Sequence, residues 1–357
     1  MAKKKKLNKI KESIGLDIGT HSVKLVHLKH VHEGYKLVNY AIRSTIPEGL
    51  EHNQSDLMND RFAPVLTGML RSLKINPKKV KHLVTSVGGD NTSIKQIKTI
   101  FLPDDELESA LFFEAKKHLP ISGSEMVLDY QVLNVEEKTN NMNILLASTT
   151  KSLLNEHSQI LSAGGLQPNV VDLESLAVAN SFALTTIDED GLYVLLNIGA
   201  YKTNMVVYSN KAKFFTRDIA WGGYHLSKDL AKLYKCSFEE AEKMKKELGV
   251  KALEKVSSKE SLLALDITEK STIEQIAMEV KRSLRFYVKE AGDSDFRKIL
   301  LVGGTAKLKG LPEYFSEQLN IPTEVFNPMQ EIDGADKYAD AQDPQLALAL
   351  GLAMRPE

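Results

Sequence analysis

Two distant stretches of the chain carry nearly the same pattern of apolar and polar positions. In Leu16-Asp-Ile-Gly-Thr-His-Ser-Val-Lys-Leu-Val-His-Leu28 and in Leu196-Asn-Ile-Gly-Ala-Tyr-Lys-Thr-Asn-Met-Val-Val-Tyr208, an apolar strand runs into a glycine and an alternating strand leaves it. They align without a gap, Leu16 on Leu196, Asp17 on Asn197, Ile18 on Ile198, Gly19 on Gly199 and Val26 on Val206. Each predicts a β-hairpin turning at its glycine. The pair predicts two half-domains of similar build.

Around the first hairpin, Tyr35–Ser44 alternates as a strand. Asp56–Leu73 spaces Leu57, Phe62, Val65, Leu66, Met69 and Leu73 as a helix, and His82–Val87 reads as a short buried strand. The texture then changes. A strand at Ile94–Ile100, a helix opened by Pro103-Asp-Asp-Glu and running to about His118, strands at Val127–Val135 and Asn143–Ser148, and a helix at Lys151–Ala163 follow in order. Acidic residues at the start of the first helix and lysines at its end suit the helix dipole. This succession predicts a compact inserted subdomain with its helices on one sheet face. A strand at Val170–Leu173 and a helix at Glu174–Leu184 lead to the second hairpin. Beyond it come a strand Lys211–Ile219, the pair Gly222-Gly223, helices Tyr224–Tyr234 and Ser237–Leu248, and a charged segment Lys251–Lys270. Next are an amphipathic helix Thr272–Ala291, a strand Lys298–Val302 ending in Gly303-Gly304, a helix from about Leu311, and a last helix Pro344–Met354.

Composition narrows the classes. The 357 residues suit two domains, and 43% hydrophobic with 26% charged is ordinary for a globular protein. A net charge of -1 argues against bulk nucleic-acid binding. The single cysteine, Cys236, excludes an internal disulfide and fits a reducing compartment; its helical setting suits a small packed side chain better than a nucleophile. The basic start, Met-Ala-Lys-Lys-Lys-Lys-Leu-Asn-Lys-Ile-Lys, has no apolar h-region after it, and no stretch approaches the ~18 apolar residues of a membrane span, so a cytoplasmic protein is expected. The lysine run reads as a solvated tail, or as a patch touching anionic lipid at about 1 kcal/mol per lysine.

The glycine turns are the candidate chemistry. Backbone N–H groups of Gly19 to Ser22 can grip phosphate oxygens, with the Thr20 hydroxyl as a further donor, and Asp17 can hold Mg²⁺ through water. Asp17 as a plain turn former is the alternative for one hairpin alone; the second copy favours phosphate. That copy carries Asn197 where the first has Asp17, and an amide neither supplies negative charge nor takes a proton. Lys202 and Thr203 are possible phosphate contacts there. Gly303-Gly304 allows backbone to approach a flat ligand, or is a plain loop. Glu242 and Lys245, three apart on one helix face, could meet ribose or base, or form a solvated pair. His27, His30 and His32 lack a third ligand at workable spacing, so no zinc site is expected. Asp172 and Glu174 could be a carboxylate pair, but capping the helix that begins there is the simpler reading.

Phosphate turn, connecting helix, second phosphate turn and Gly-Gly turn, in that order, resemble the actin-like ATPase superfamily. Within it the chain resembles the PilM family of type IV pilus assembly proteins. The resemblance lies in Gly15-Leu-Asp-Ile-Gly-Thr-His-Ser-Val-Lys-Leu, Leu102-Pro-Asp-Asp-Glu-Leu-Glu with Glu114-Ala and Leu119-Pro, Val171-Asp-Leu-Glu-Ser, Phe215-Thr-Arg-Asp-Ile with Gly222-Gly, Ser237-Phe-Glu-Glu-Ala-Glu, Val280-Lys-Arg-Ser-Leu-Arg-Phe-Tyr, and Gly303-Gly-Thr-Ala-Lys-Leu. It implies an α/β actin-like (ribonuclease H-like) two-domain fold with an inserted α+β subdomain. The implied division is a basic tail at 1–12, a first domain from 13–91, 169–185 and 342–357, the insert at 92–168, and a second domain at 186–341.

The same resemblance implies ATP with Mg²⁺ in the cleft. Asp17, Gly19, Thr20 and Lys24 fall on the first phosphate motif, Gly199 and Thr203 on the second, and Gly303, Gly304 and Lys307 on the adenosine motif, while Glu242 and Lys245 match the base-side helix. Asn197 departs from the superfamily's usual aspartate, which implies binding with slow or no turnover. The partner implied is the cytoplasmic N-terminal peptide of PilN, held in a groove that the insert helps to form, at the cytoplasmic face of the inner membrane beside other pilus platform and motor proteins. A homo-oligomer is left open. The alternatives are a sugar-type kinase, for which no acceptor-side carboxylate stands out, and an FtsA-like filament protein. The latter carries a C-terminal amphipathic membrane helix, whereas Leu350-Gly-Leu-Ala-Met reads as part of a domain helix.

Overall fold

A computed structural model describes residues 10–47, 49–51, 59–118, 125–136, 138–183, 191–254 and 271–355. The basic tail up to residue 9, the start of the helix expected from Asp56, the Leu119-Pro motif and the larger part of the charged segment Lys251–Lys270 lie outside the described residues.

A first lobe opens with β1 (Glu12–Ile18), β2 (Ser22–Val31), β3 (Gly34–Ser44), α1 (Phe62–Ser72) and β4 (Leu83–Val87). The insert follows with β5 (Thr92–Ile100), α2 (Asp104–His118), β6 (Met126–Glu136) and β7 (Asn141–Thr150). Then α3 (Lys151–Ala163), β8 (Val170–Leu173) and α4 (Glu174–Ala183) return to the first lobe. The second lobe holds β9 (Leu192–Ile198), β10 (Thr203–Tyr208), β11 (Phe215–Ile219), α5 (Gly223–Tyr234), α6 (Phe238–Leu248), the short α7 (Lys251–Glu254), α8 (Thr272–Ala291), β12 (Phe296–Val302), α9 (Leu311–Leu319) and β13 (Thr323–Val325). A last helix, α10 (Ala347–Met354), packs back on the first lobe.

The expected duplication is present. Each lobe is a five-stranded sheet, ordered β3-β2-β1-β4-β8 in one and β11-β10-β9-β12-β13 in the other. In both, an antiparallel three-stranded meander is extended by two strands parallel to its first. β1 and β9 are buried on both faces, and β9 reads as a near-continuous apolar run, whereas β1 alternates Ile14, Leu16 and Ile18 with Ser13, Gly15 and Asp17.

Two helices fill the space between the sheets. The sequence of α10 has no polar face, and every one of its positions is buried, as an interior helix requires. Its Ala347, Leu348 and Leu352 share one core with Ala177 and Val178 of α4 and with Leu195, Val206 and Leu300 of the second lobe. Two glycines permit that closeness: a Cβ on Gly351 would stand 1.7 Å from the Ala177 carbonyl oxygen, and one on Gly15 2.0 Å from that of Ala349.

The insert forms its own sheet, ordered β5-β7-β6, with Leu107, Leu111 and Ala115 of α2 packed on Ile97, Met126, Met142, Ile144 and Leu146. The expectation that both helices would cover this sheet needs correcting. Leu161 of α3 is buried with Leu16, Leu66 and Leu83 instead, so α3 belongs to the first lobe's core. The strand expected from Lys211 begins at Phe215, and β13 was not anticipated. Among the described residues no helix is long and apolar enough to cross a membrane.

Candidate functional site

The two hairpins are superposable in register. Asp17 lies opposite Lys24 across β1–β2, and Asn197 opposite Asn204 across β9–β10. The Gly19 N–H donates to the Ser22 carbonyl at 3.1 Å and the Gly199 N–H to the Lys202 carbonyl at 2.9 Å, so the same bond closes both turns. Both turns line one cleft of about 1090 Å³, slightly larger than ordinary ligand pockets.

The first wall is charged. Asp17 is only 7% exposed, and its carboxylate lies 3.0 Å from the Lys24 ammonium. Burial raises the Asp17 pKa; Lys24 works against that rise, while nearby Glu174 adds to it. Glu174, the first residue of α4, reaches across the cleft to Lys202 of the second hairpin at 2.7 Å. Burial alone would lower the Lys202 ammonium, but Glu174, Asp218 and Asp17 outweigh it and raise its pKa above the ordinary lysine value. The cap expected of Asp172 and Glu174 gives way to separate roles: Asp172 is held by Arg355 at 2.8 Å and accepts the Leu173 N–H, whereas Glu174 faces the cleft.

The far end of the cleft is built from backbone. Gly303 has φ +88°, and a Cβ there would stand 2.6 Å from Asn197 Oδ1, which brings this turn against the second hairpin. Thr305 fastens it, its hydroxyl donating to the Gly199 carbonyl at 3.1 Å. Gly223, opening α5, donates its N–H to the same carbonyl at 2.9 Å. Glu242 and Lys245 are a largely buried pair at 2.5 Å, not a solvated one. The Lys245 ammonium also donates to the Gly223 carbonyl at 2.8 Å and to Ser227 Oγ at 2.6 Å, and the Ser227 hydroxyl bonds Glu242, tying α6 to α5. Burial works against both charges; Lys245 and Ser227 nevertheless hold the Glu242 pKa below the ordinary value. Lys307 pairs with Asp343 at 2.8 Å.

Asp17, Gly19, Thr20, Lys24, Asn197, Gly199, Glu242, Lys245, Gly303, Gly304 and Lys307 are thus brought together around one space. Thr203 is not, and its expected phosphate contact is corrected: the side chain is fully buried and its hydroxyl donates to the Trp221 carbonyl at 2.8 Å. Asp218 and His157, which sequence reasoning does not single out, also line the cleft, as does Glu174, which it weighs as half of a carboxylate pair and assigns to a cap. The strand-to-helix junction is the signal that marks Glu174 as a candidate.

The residues fit a magnesium-bound nucleotide in kind. Glycine turns on both walls leave backbone room for phosphates, and one buried carboxylate suits Mg²⁺, which keeps most of its waters and takes few protein ligands. Among the described residues no group of three His, Cys, Asp or Glu is placed to cage a metal by itself. When bound, the ion would neutralise phosphate charge.

Twin lobes with matched hairpins facing across a cleft define the actin-like fold. A family model described as type IV pilus assembly protein PilM matches residues 15–357, and the chain belongs to that family. A solved PilM–PilN type IV pilus biogenesis complex superposes with a TM-score of 0.79 at 22% identity, covering 98% of this chain and 99% of that one. The ethanolamine utilization protein EutJ from Carboxydothermus hydrogenoformans gives 0.55 at 18% identity, covering 98% and 91%. In sequence, the chain is 26% identical to the cell division protein FtsA of Bacillus subtilis over 219 residues, which are 58% of this chain and 48% of FtsA, so the match spans about half of that relative. With FtsA of Neisseria meningitidis it is 22% identical over 370 residues, covering 94% and 88%.

Proposed function

We propose that this chain is an ATP-binding, actin-like adaptor of the inner-membrane platform that assembles type IV pili, and that its insert takes the cytoplasmic N-terminal peptide of PilN in a nucleotide-sensitive way. The observation that carries the nucleotide reading is the pair of hairpin turns, closed by the same backbone hydrogen bond, that line one cleft. Asp17 would hold the Mg²⁺, and the backbone of the two turns would hold the phosphates. The neutral Asn197 leaves the second wall without a carboxylate at the position matching Asp17, which favours binding with slow or absent turnover. The chain acts at the cytoplasmic face of the inner membrane, reached through its partner and beside other platform and motor proteins.

The peptide reading is supported by family membership and by apolar surface on the insert. Ile100 and Phe113 are 61% and 65% exposed, and Val132, Leu133 and Val135 are exposed on β6, an edge strand of its sheet. Nucleotide sensitivity needs a link between cleft and insert, because a ligand shifts a conformation only through differential contacts. Such a link exists: the Phe214 N–H, next to β11, donates to Gln96 Oε1 of β5 at 3.0 Å, while Asp218 at the other end of β11 lines the cleft.

The test is a titration of full-length protein with the PilN peptide, with and without ATP and Mg²⁺. Peptide affinity that changes severalfold with ATP is expected. Equal affinity in both conditions would remove the nucleotide sensitivity, and no binding in either would remove the partner.

A further inference from the structure

Resting on the reading of the cleft as a nucleotide site, we propose that Lys202 distinguishes a nucleoside triphosphate from a diphosphate, exchanging Glu174 for the terminal phosphate. The side chain belongs to the second hairpin but is held by the first lobe: its ammonium sits 2.7 Å from Glu174 at the start of α4. Gly89, in the loop after β4, lies on the same side, a Cβ there standing in van der Waals contact with the Lys202 ammonium at 3.7 Å. The ammonium of the first hairpin, Lys24, is already engaged by Asp17 within that hairpin.

This arrangement makes Lys202 the mobile charge. A lysine is a point charge on a flexible stem and can pivot between acceptors without the planar fit an arginine needs. With base and ribose at the end carrying Glu242 and Lys245, the phosphates extend toward the hairpins, and the third of them arrives where Lys202 and Glu174 meet. A dianionic phosphate outcompetes one carboxylate for the ammonium, and Glu174 is released into the cleft. A diphosphate lacks that group and leaves the cross-cleft pair intact. Ligand identity is thereby converted into a change in what holds the two lobes together.

The experiment measures affinities of the full-length protein for ATP and ADP, each with Mg²⁺, by displacement of a fluorescent ADP analogue. Lys202→Met is expected to weaken ATP about tenfold, a loss of about 1.4 kcal/mol, while ADP changes less than about twofold. Glu174→Gln, which frees the ammonium and keeps the side chain's shape, is expected to tighten ATP about threefold and to leave ADP unchanged. Equal weakening of both nucleotides by Lys202→Met, no change in either, or weaker ATP binding by Glu174→Gln would each overturn the proposal while leaving the nucleotide cleft standing. Wild-type protein that binds neither nucleotide overturns the cleft reading and this proposal with it.

Discussion

In the first lobe the hairpin sets Asp17 against Lys24 at 3.0 Å. In the second lobe the equivalent positions are Asn197 and Asn204, and the Asn204 amide is spent on Ser175 at 3.0 Å and Asp218 at 2.7 Å. Backbone, register and closing hydrogen bond are shared; charge is not. The shared part gives two turns of one shape. The unshared part gives them different charge: the first wall presents a carboxylate, Asp17, and the second presents an ammonium, Lys202, directed across the cleft. Asp17 shows what this costs, since burial raises its pKa against the pull of Lys24, so the ionised side chain is held at the expense of folding. A side chain held that way is suited to a ligand more than to stability.

The comparison breaks most sharply where a third element fixes one hairpin. Gly303 has φ +88°, a conformation that side chains resist, and a Cβ there would meet Asn197 Oδ1 at 2.6 Å and the Ile198 carbonyl oxygen at 2.7 Å. Gly303→Ala is expected to lower the unfolding free energy by about 3–4 kcal/mol through strain and steric conflict. Denaturant titration decides it, and a loss below about 0.5 kcal/mol would mean the second hairpin is not braced from this side.

The first hairpin has its own brace, and acid tests it. The Thr85 hydroxyl donates to the Leu16 carbonyl at 2.9 Å, so His157, whose Nε2 lies 2.9 Å from the Thr85 hydroxyl oxygen, must be the donor in that second bond. Burial lowers its pKa to about 4, although Glu174 pulls the other way. Below pH 6.5 the unfolded chain takes up a proton that the folded protein refuses, so this contribution is present above pH 6.5 and is lost on going down toward pH 4. The loss amounts to about 3 kcal/mol at pH 4. Asp17, with its raised pKa, gains a proton first in the folded state and opposes the trend. The measurement is therefore the difference in pH dependence between wild type and His157→Gln, expected to flatten the acid limb; identical slopes would remove His157 from the account.

Much of this was legible in the chain because the hairpins recur with full patterning, and pattern is what reports a buried strand. The repeat held one warning that the motif reading overrode. Thr203 aligns with Val23, a fully buried core position, so its hydroxyl was bound inward. The allegiance of α3 was not legible, since periodicity gives an apolar face and not the surface it meets. The Glu174–Lys202 pair was equally hidden, because only the topology brings the start of α4 to the second hairpin. Strand β13 has three residues, too few to show a period.

Making the first hairpin resemble the second sharpens the comparison at its functional end. Asp17→Asn removes the carboxylate proposed to hold the cation. Affinity for ATP with Mg²⁺ is expected to fall about tenfold or more, which is at least ~1.4 kcal/mol. Folding stability at neutral pH is expected to hold within about 1 kcal/mol, because the raised Asp17 pKa marks a desolvation cost larger than its attraction to Lys24, and losing that cost offsets leaving the Lys24 ammonium without its partner. Calorimetry of binding and thermal unfolding read the two effects separately, and a variant that loses stability but keeps affinity would make Asp17 a structural residue.

The reverse exchange has the smallest expected effect and asks whether asymmetry is built into the scaffold. Asn197→Asp restores a carboxylate at the end of β9, but the residue opposite is Asn204, not a lysine, and its amide is already committed. The new charge would also face the Gly303 turn, where the Ile198 carbonyl lies close by. With no ammonium across the strand, the variant is expected to lose about 1 kcal/mol of stability without ligand. Adding ATP with Mg²⁺ should return part of that loss, since the cation supplies the charge that position 204 lacks. Thermal unfolding with and without the nucleotide measures both steps. Unchanged stability in the unliganded variant would mean that the second wall tolerates a carboxylate as readily as the first, and that the difference in charge between the hairpins is not enforced by their surroundings.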